Sequence, residues 1–192
     1  FVHGVMNTDN MSILSETIDY GPFGFLEEFD PRWTPNTTDA RTRRYAYGNQ
    51  PRVALWNLAM LGRVMLEPAQ AMPVLAAFSE RFQMENAALF ARKLGMATAP
   101  TPAQLQSLLE QLEAFMAKHK ADFTLFYREL GEHPLDALAT DEQLQRDFIA
   151  RCCYLPAPTP AALTDFAAFL AHYQRFLAEQ GVTDAQRRAV MA

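Results

Sequence analysis

The sequence predicts a mainly α-helical fold that opens with a short β-hairpin. Three observations carry this reading. From Pro51 onward, apolar residues recur at helical spacing in successive segments separated by Pro, Gly and capping residues. Residues 1–50 have a different texture, rich in Gly, Asn, Asp, Thr and aromatic side chains. Within them, Met11 to Leu14 reads as a strand, Ser15–Glu16 as a tight turn and Thr17 to Asp19 as the returning strand. The chain therefore divides into a loop-and-hairpin segment, 1–50, and a helical segment, 51–192, of one domain.

After Gly21–Pro22 the chain enters an irregular stretch containing Pro31, Pro35 and several Asn and Asp residues, an ordered loop of a length that usually has a function. Pro51 suits a first helical position, and Arg52 to Leu66 follows with Val53, Trp56, Met60 and Val64 at helical spacing. Trp56 is expected in the core. A second helix is predicted from Pro73 to Leu94, stopped by Gly95. Thr101-Pro102-Ala103-Gln104 is a capping-box pattern that opens a helix with Leu105, Leu108, Leu109, Leu112, Phe115 and Met116 on one stripe. Further helices are predicted over Asp122–Leu130, Asp141–Cys153 and Pro160–Gln180, and a last one from Asp184. These apolar stripes read as core-facing, and His119, His133 and His172, which lack ligand-spaced companions, read as surface or satisfied histidines.

Composition excludes several function classes. A formal net charge of −5 argues against a surface that tracks nucleic-acid phosphates, and the cluster Arg41, Arg43 and Arg44 reads as a solvated loop. The richest apolar run, Val53 to Leu61, is interrupted by Asn57 and closed by Arg63, so no membrane span is expected. Cys152 and Cys153 are adjacent, which is poor geometry for a mutual disulfide and poor spacing for a metal, so a reduced protein with two packing cysteines is expected.

The chemistry-bearing stretch is His3-Gly4-Val5-Met6-Asn7-Thr8-Asp9-Asn10, followed by the predicted hairpin and Asp19-Tyr20-Gly21. Transfer from ATP needs a divalent cation held by hard oxygen ligands and a carboxylate near the attacking hydroxyl. Protein kinases meet this need with a loop H-R-D-x-x-x-x-N, a hairpin and a D-F-G aspartate. Here Asn10 stands seven residues after His3, as in that template. A hairpin would bring Asn10 and Asp19 to one end of two paired strands, where an amide oxygen and a carboxylate could share one Mg²⁺ or Mn²⁺. The usual base position falls on Val5, which accepts no proton. The base is therefore either moved to Asp9 or missing.

The string HGVMNTDNMSIL…TIDYGPFGFLEEFDP resembles the selenoprotein O (YdiU) family, as does NQPRVALWNLAML at residues 49–61; the likeness thins through the later helices. The resemblance implies the C-lobe portion of a protein-kinase-like α+β fold. It also implies an enzyme that transfers AMP from ATP to Ser, Thr or Tyr hydroxyls of protein substrates, with Mg²⁺ or Mn²⁺; some bacterial members are described as UMP transferases with manganese. Carried over, the family's proton acceptor falls on Asp9, its metal ligands on Asn10 and Asp19, and its contact to the nucleotide phosphates on Asp19. His3 and Gly4 would shape the loop. Asn36, Asp39 and Arg44-Tyr45 resemble a further family segment, in which Arg43 stands where a glycine is frequent; loop stabilisation is favoured over substrate contact for them.

No Gly-rich loop and no strand lysine paired to a helix glutamate are visible, so a fragment incomplete at both ends and inactive by itself is expected. The competing readings are a phosphotransferase of the same fold and a non-catalytic pseudokinase or interaction module. The expected partners are ATP and proteins bearing hydroxyl side chains, with neither nucleic acid nor membrane. The expected location is the cytoplasm of a bacterium, or mitochondria if the source is eukaryotic.

Overall fold

A computed structural model describes residues 1–14, 16 and 21–192. The described part holds eight α-helices: α1 Gln50–Met65, α2 Pro68–Lys93, α3 Pro102–Lys118, α4 Phe123–Glu132, α5 Leu135–Thr140, α6 Glu142–Cys152, α7 Pro160–Glu179 and α8 Asp184–Met191. The predicted mainly α architecture is thus present. No helix among the described residues is long and apolar enough to cross a membrane. The chain forms two compact units, one of Phe1–Leu26 and Asp30–Gln83, the other of Glu27–Phe29 and Met84–Ala192.

The predicted hairpin is not found among the described residues. Thr8–Asn10 forms a 3₁₀ turn, Met11 is extended, and Ile13–Leu14 is a turn rather than strand. Ile13 and Leu14 are 80% and 72% exposed, so no apolar face is buried that would hold a two-stranded ribbon. The predicted returning arm, Thr17–Asp19, lies outside the described residues. Only isolated antiparallel bridges occur among the described residues, such as Val2 with Gly24.

In the first unit, two 3₁₀ turns, Thr37–Asp39 and Tyr47–Asn49, lead into α1. Of the predicted stripe Val53, Trp56, Met60 and Val64, only Val53 is buried, and Asn57 shares the buried face of α1 with it. Trp56 is 44% exposed, with the Arg44 guanidinium over its ring at 4.8 Å, a cation–π contact rather than a core position. α2 begins five residues before the predicted Pro73, at Pro68, a proline suited to a first turn, and carries Pro73 inside the helix. Met72, Val74, Phe82 and Met84 on α2 are exposed, so this apolar stripe is not the core stripe expected.

The second unit follows its capping signals closely. Thr101 and Gln104 form the capping box of α3, and Thr183 and Gln186 an equivalent one at α8. Asp122, Asp141 and Thr159 cap α4, α6 and α7 through side-chain oxygens that accept backbone N–H groups. α7 is the central helix, packing on α3, α5 and α6. Its Phe166 stacks on Phe148 of α6 with ring centroids 4.6 Å apart, and also meets Phe115 and Phe126. Of the predicted stripe, Leu105, Leu108, Leu112, Phe115 and Met116 are buried, whereas Leu109 at its edge is only half-buried. Helix α5 escaped prediction because six residues carry too little periodicity.

The histidines are satisfied. His119 Nε2 lies 2.7 Å from Asp165 Oδ2, His172 Nδ1 lies 2.7 Å from Gln111 Oε1, and His133 meets Glu129 and Arg151. Cys152 and Cys153 are free and buried.

Candidate active site

The N-terminal loop owes its path to two residues with little conformational choice. Gly4 has φ +82°, and a Cβ there would stand 2.2 Å from the Pro22 carbonyl oxygen. That position admits only glycine. The His3 ring accepts a hydrogen bond from the Val5 N–H at Nδ1, 3.3 Å, closing a tight local turn. His3 and Gly4 thus shape the loop, as expected.

Beyond this turn the chain forms the 3₁₀ turn Thr8–Asn10, closed by the Asn10 N–H donating to the Asn7 carbonyl at 3.1 Å. Asn10 Nδ2 donates back to the Val5 carbonyl at 3.0 Å. A carbonyl only accepts, so this bond selects the amino end of the side chain and leaves Oδ1 as the presented end. An oriented amide oxygen is a suitable hard ligand for a divalent cation. Asp9, next to it on the same turn, is exposed, and its carboxylate has no hydrogen bond or ion pair among the described residues. Asp9 and Asn10 are therefore adjacent, with their side-chain oxygens uncommitted among the described residues. Asp19 lies outside the described residues.

Three amide side chains hold this loop from behind. Gln50, at the start of α1, accepts from the His3 N–H at 3.0 Å and donates to the Phe1 carbonyl at 3.1 Å. Asn36 donates through Nδ2 to the Gly4 carbonyl at 3.1 Å, while its Oδ1 accepts from Thr38 N at 3.0 Å. Asn57, buried on α1, donates to the Met6 carbonyl at 2.9 Å. Each satisfies backbone groups that an irregular segment cannot pair internally. Two buried acceptors, Asn7 Oδ1 and Asn57 Oδ1, find no donor among the described residues.

A buried carboxylate fixes the adjoining loop. Asp39 is 5% exposed; its Oδ1 accepts from the Arg44 N–H at 2.9 Å and from the Thr42 hydroxyl, and Oδ2 accepts from the Tyr45 N–H at 2.8 Å. Asn36 and Asp39 are thus loop-stabilising residues. Gln50 and Asn57 were not singled out from the sequence. The available signal was Asn57 itself, a polar residue inside an apolar run that turns out to point inward.

Comparison with known proteins agrees with the motif reading. The family profile described as "Protein adenylyltransferase SelO" matches residues 1–191. A "Protein nucleotidyltransferase YdiU" of Azoarcus sp. (strain BH72) is 42% identical over 195 residues, covering all of this chain and 36% of that protein. The protein of the same name from Tolumonas auensis is 41% identical over 200 residues with the same coverage. That of Nitrosospira multiformis is 48% identical over 143 residues, 72% of this chain and 25% of its own length. The chain thus spans about a third of the length of the relatives it matches end to end.

Proposed function

Since the chain belongs to the SelO family of protein adenylyltransferases, we propose that it carries the acid–base and metal-binding end of an enzyme that moves AMP from ATP onto Ser, Thr or Tyr hydroxyls of protein substrates. The observation that supports this best is the pairing of an uncommitted Asp9 carboxylate with an Asn10 whose amide is oriented by Val5, the residue at the usual kinase-base position.

In this reading Asp9 takes the proton of the acceptor hydroxyl. The hydroxyl oxygen bonds to the α-phosphorus of ATP, the bond from that phosphorus to the bridging oxygen breaks, and pyrophosphate leaves. Removing the proton as the new bond forms avoids a cationic oxygen, which is the ordinary contribution of a general base. A divalent cation, Mg²⁺ or Mn²⁺, would be held by Asn10 and Asp19 and would offset phosphate charge. The protein's own part is to keep Asn10 Oδ1 turned outward through the Val5 carbonyl and to keep the loop in place through Gln50, Asn36 and Asn57. The helices after α1 are then part of a kinase-like C-lobe.

The test uses the full-length protein with α-labelled and γ-labelled ATP in parallel. Protein labelling from the α-position, lost in Asp9→Ala and Asn10→Ala, is expected. Labelling from the γ-position alone would replace this reading with the phosphotransferase. Undiminished α-label transfer by Asp9→Ala would remove Asp9 from its role.

A further inference from the structure

The loop that Asp39 fixes carries a second cluster of charge. Arg32, Arg41 and Arg43, with Thr42, Gly48 and Asn49, line a cavity of about 400 Å³. The neighbouring carboxylates are few. Asp30 Oδ2 lies 3.9 Å from Arg43 Nη1, and its Oδ1 already accepts the Arg32 N–H at 2.8 Å. Asp39 is buried and covered by its own three donors. Arg44 is turned away over Trp56. Among the described residues, Arg32 and Arg41 have no ion pair.

The backbone beneath these side chains is held in place. Arg43 adopts φ +50°, the left-handed region that costs a residue with a Cβ about 1–2 kcal/mol. It stays there because its N–H donates to the Asp39 carbonyl at 2.7 Å and its own carbonyl accepts from Asn49 Nδ2 at 2.8 Å. A glycine would adopt that conformation without strain, yet an arginine occupies it, lines the cavity and donates through Nη1 to the Arg32 carbonyl at 3.3 Å. Three guanidiniums against one nearby exposed carboxylate leave a local excess of two positive charges, the complement of a phosphate dianion. Guanidinium forks match phosphate oxygens in pairs, and a pre-set loop lowers the ordering cost of binding.

We propose that Arg32, Arg41 and Arg43 form a binding site for a phosphate dianion, carried either by free phosphate or by a phosphorylated side chain of a protein. The site stands on the 30–49 loop and does not use Asp9 or Asn10. It is independent of the transfer reaction proposed above.

The test is calorimetric titration of the full-length protein with inorganic phosphate and with a phosphoserine peptide at fixed ionic strength. Wild type should bind phosphate saturably, and Arg32→Gln/Arg41→Gln should weaken it about tenfold or more with ATP affinity unchanged. Both arginines are exposed, so the double variant should fold; if it does not, Arg41→Gln alone is read in the same way. Tighter binding of the peptide than of phosphate assigns the dianion to a protein, and equal or weaker binding assigns it to the free ion. No saturable phosphate binding, binding unaffected by the variants, or a parallel loss of ATP affinity would each overturn the proposal.

Discussion

Asn57 Nδ2 donates to the Met6 carbonyl at 2.9 Å across 51 residues of sequence, while the Oδ1 of the same amide is buried without a donor among the described residues. The side chain therefore gives the loop two hydrogen bonds, the second from Nδ2 to Met11 Sδ at 2.7 Å, and leaves one of its own groups unsatisfied among the described residues. Its value lies in where it puts the loop more than in net stability.

Replacing Asn57 with Leu removes the donor and the orphaned acceptor together. These effects oppose each other, so stability should change by less than about 1 kcal/mol in urea denaturation. Nucleotide transfer by the folded full-length variant should nonetheless fall by about tenfold, because Met6 precedes the Asp9–Asn10 turn and loses its anchor. A variant several kcal/mol less stable but fully active would reverse this assignment.

Arg43→Gly should raise the melting temperature. Relief of left-handed strain, about 1–2 kcal/mol, exceeds the added entropy of an unfolded glycine, about 0.5–1 kcal/mol. A lower melting temperature would mean that the Arg43 side chain contributes more through Arg32 and Asp30 than its backbone costs.

Arg187 is fully buried on α8, donating to Asp184 Oδ1 at 2.7 Å and to the Leu130 and His133 carbonyls at 2.6 Å each. Arg187→Met keeps the stem and deletes those donors, stranding the Leu130 and His133 carbonyls, while the partly exposed Asp184 carboxylate keeps the Leu135 N–H. A loss of about 3 kcal/mol or more is expected in chemical denaturation. A near-neutral result would show that the aliphatic stem, not the guanidinium, fastens α8.

Asp165 accepts from Lys118 Nζ and His119 Nε2, both at 2.7 Å, and these hydrogen bonds hold its carboxyl below the ordinary aspartate range. A folded value below the unfolded one gives stability that is present above the unfolded pKa of about 3.9 and lost as pH falls through the folded value. The stability difference between wild type and Asp165→Asn should therefore be constant near neutral pH and shrink below about pH 4. A difference that persists unchanged into strong acid would exclude the charge as its source.

Burial pushes both adjacent thiols up, Cys153 to about 12 and Cys152 beyond it, with the Glu129 carboxylate adding to the effect at Cys152. Neither forms thiolate at neutral pH, so an aromatic disulfide reagent should react slowly with the native protein. Both should react promptly in denaturant. Fast native labelling would mean that the α6 terminus opens readily.

Much of the helical architecture was legible because its signals are local. The Thr101–Gln104 box, the Pro160 start and the Gly95 stop each act over a few residues, and the structure uses all of them. The positions of Asp9 and Asn10 were legible for a similar reason, since the spacing from His3 and the valine at position 5 are properties of the chain alone. Periodicity failed where burial depended on what lay opposite. Trp56 and Val64 share a helical stripe, yet it is Asn57 that faces inward, because the loop carbonyl of Met6 lies against that side of α1.

The sequence by itself determined the helical class and the starts of six of the eight helices among the described residues, and it marked Asp9, Asn10 and Asp19 as candidates for proton and metal chemistry. Only the tertiary structure decided that Gln50, Asn36 and Asn57 are the frame of the N-terminal loop. It also decided that Arg32, Arg41 and Arg43 share one cavity while Arg44 lies over Trp56. The physical reason is range. Capping and turn preferences are set by neighbours along the chain, whereas pairing a backbone carbonyl with a distant amide, or gathering guanidiniums, depends on which segments meet in space.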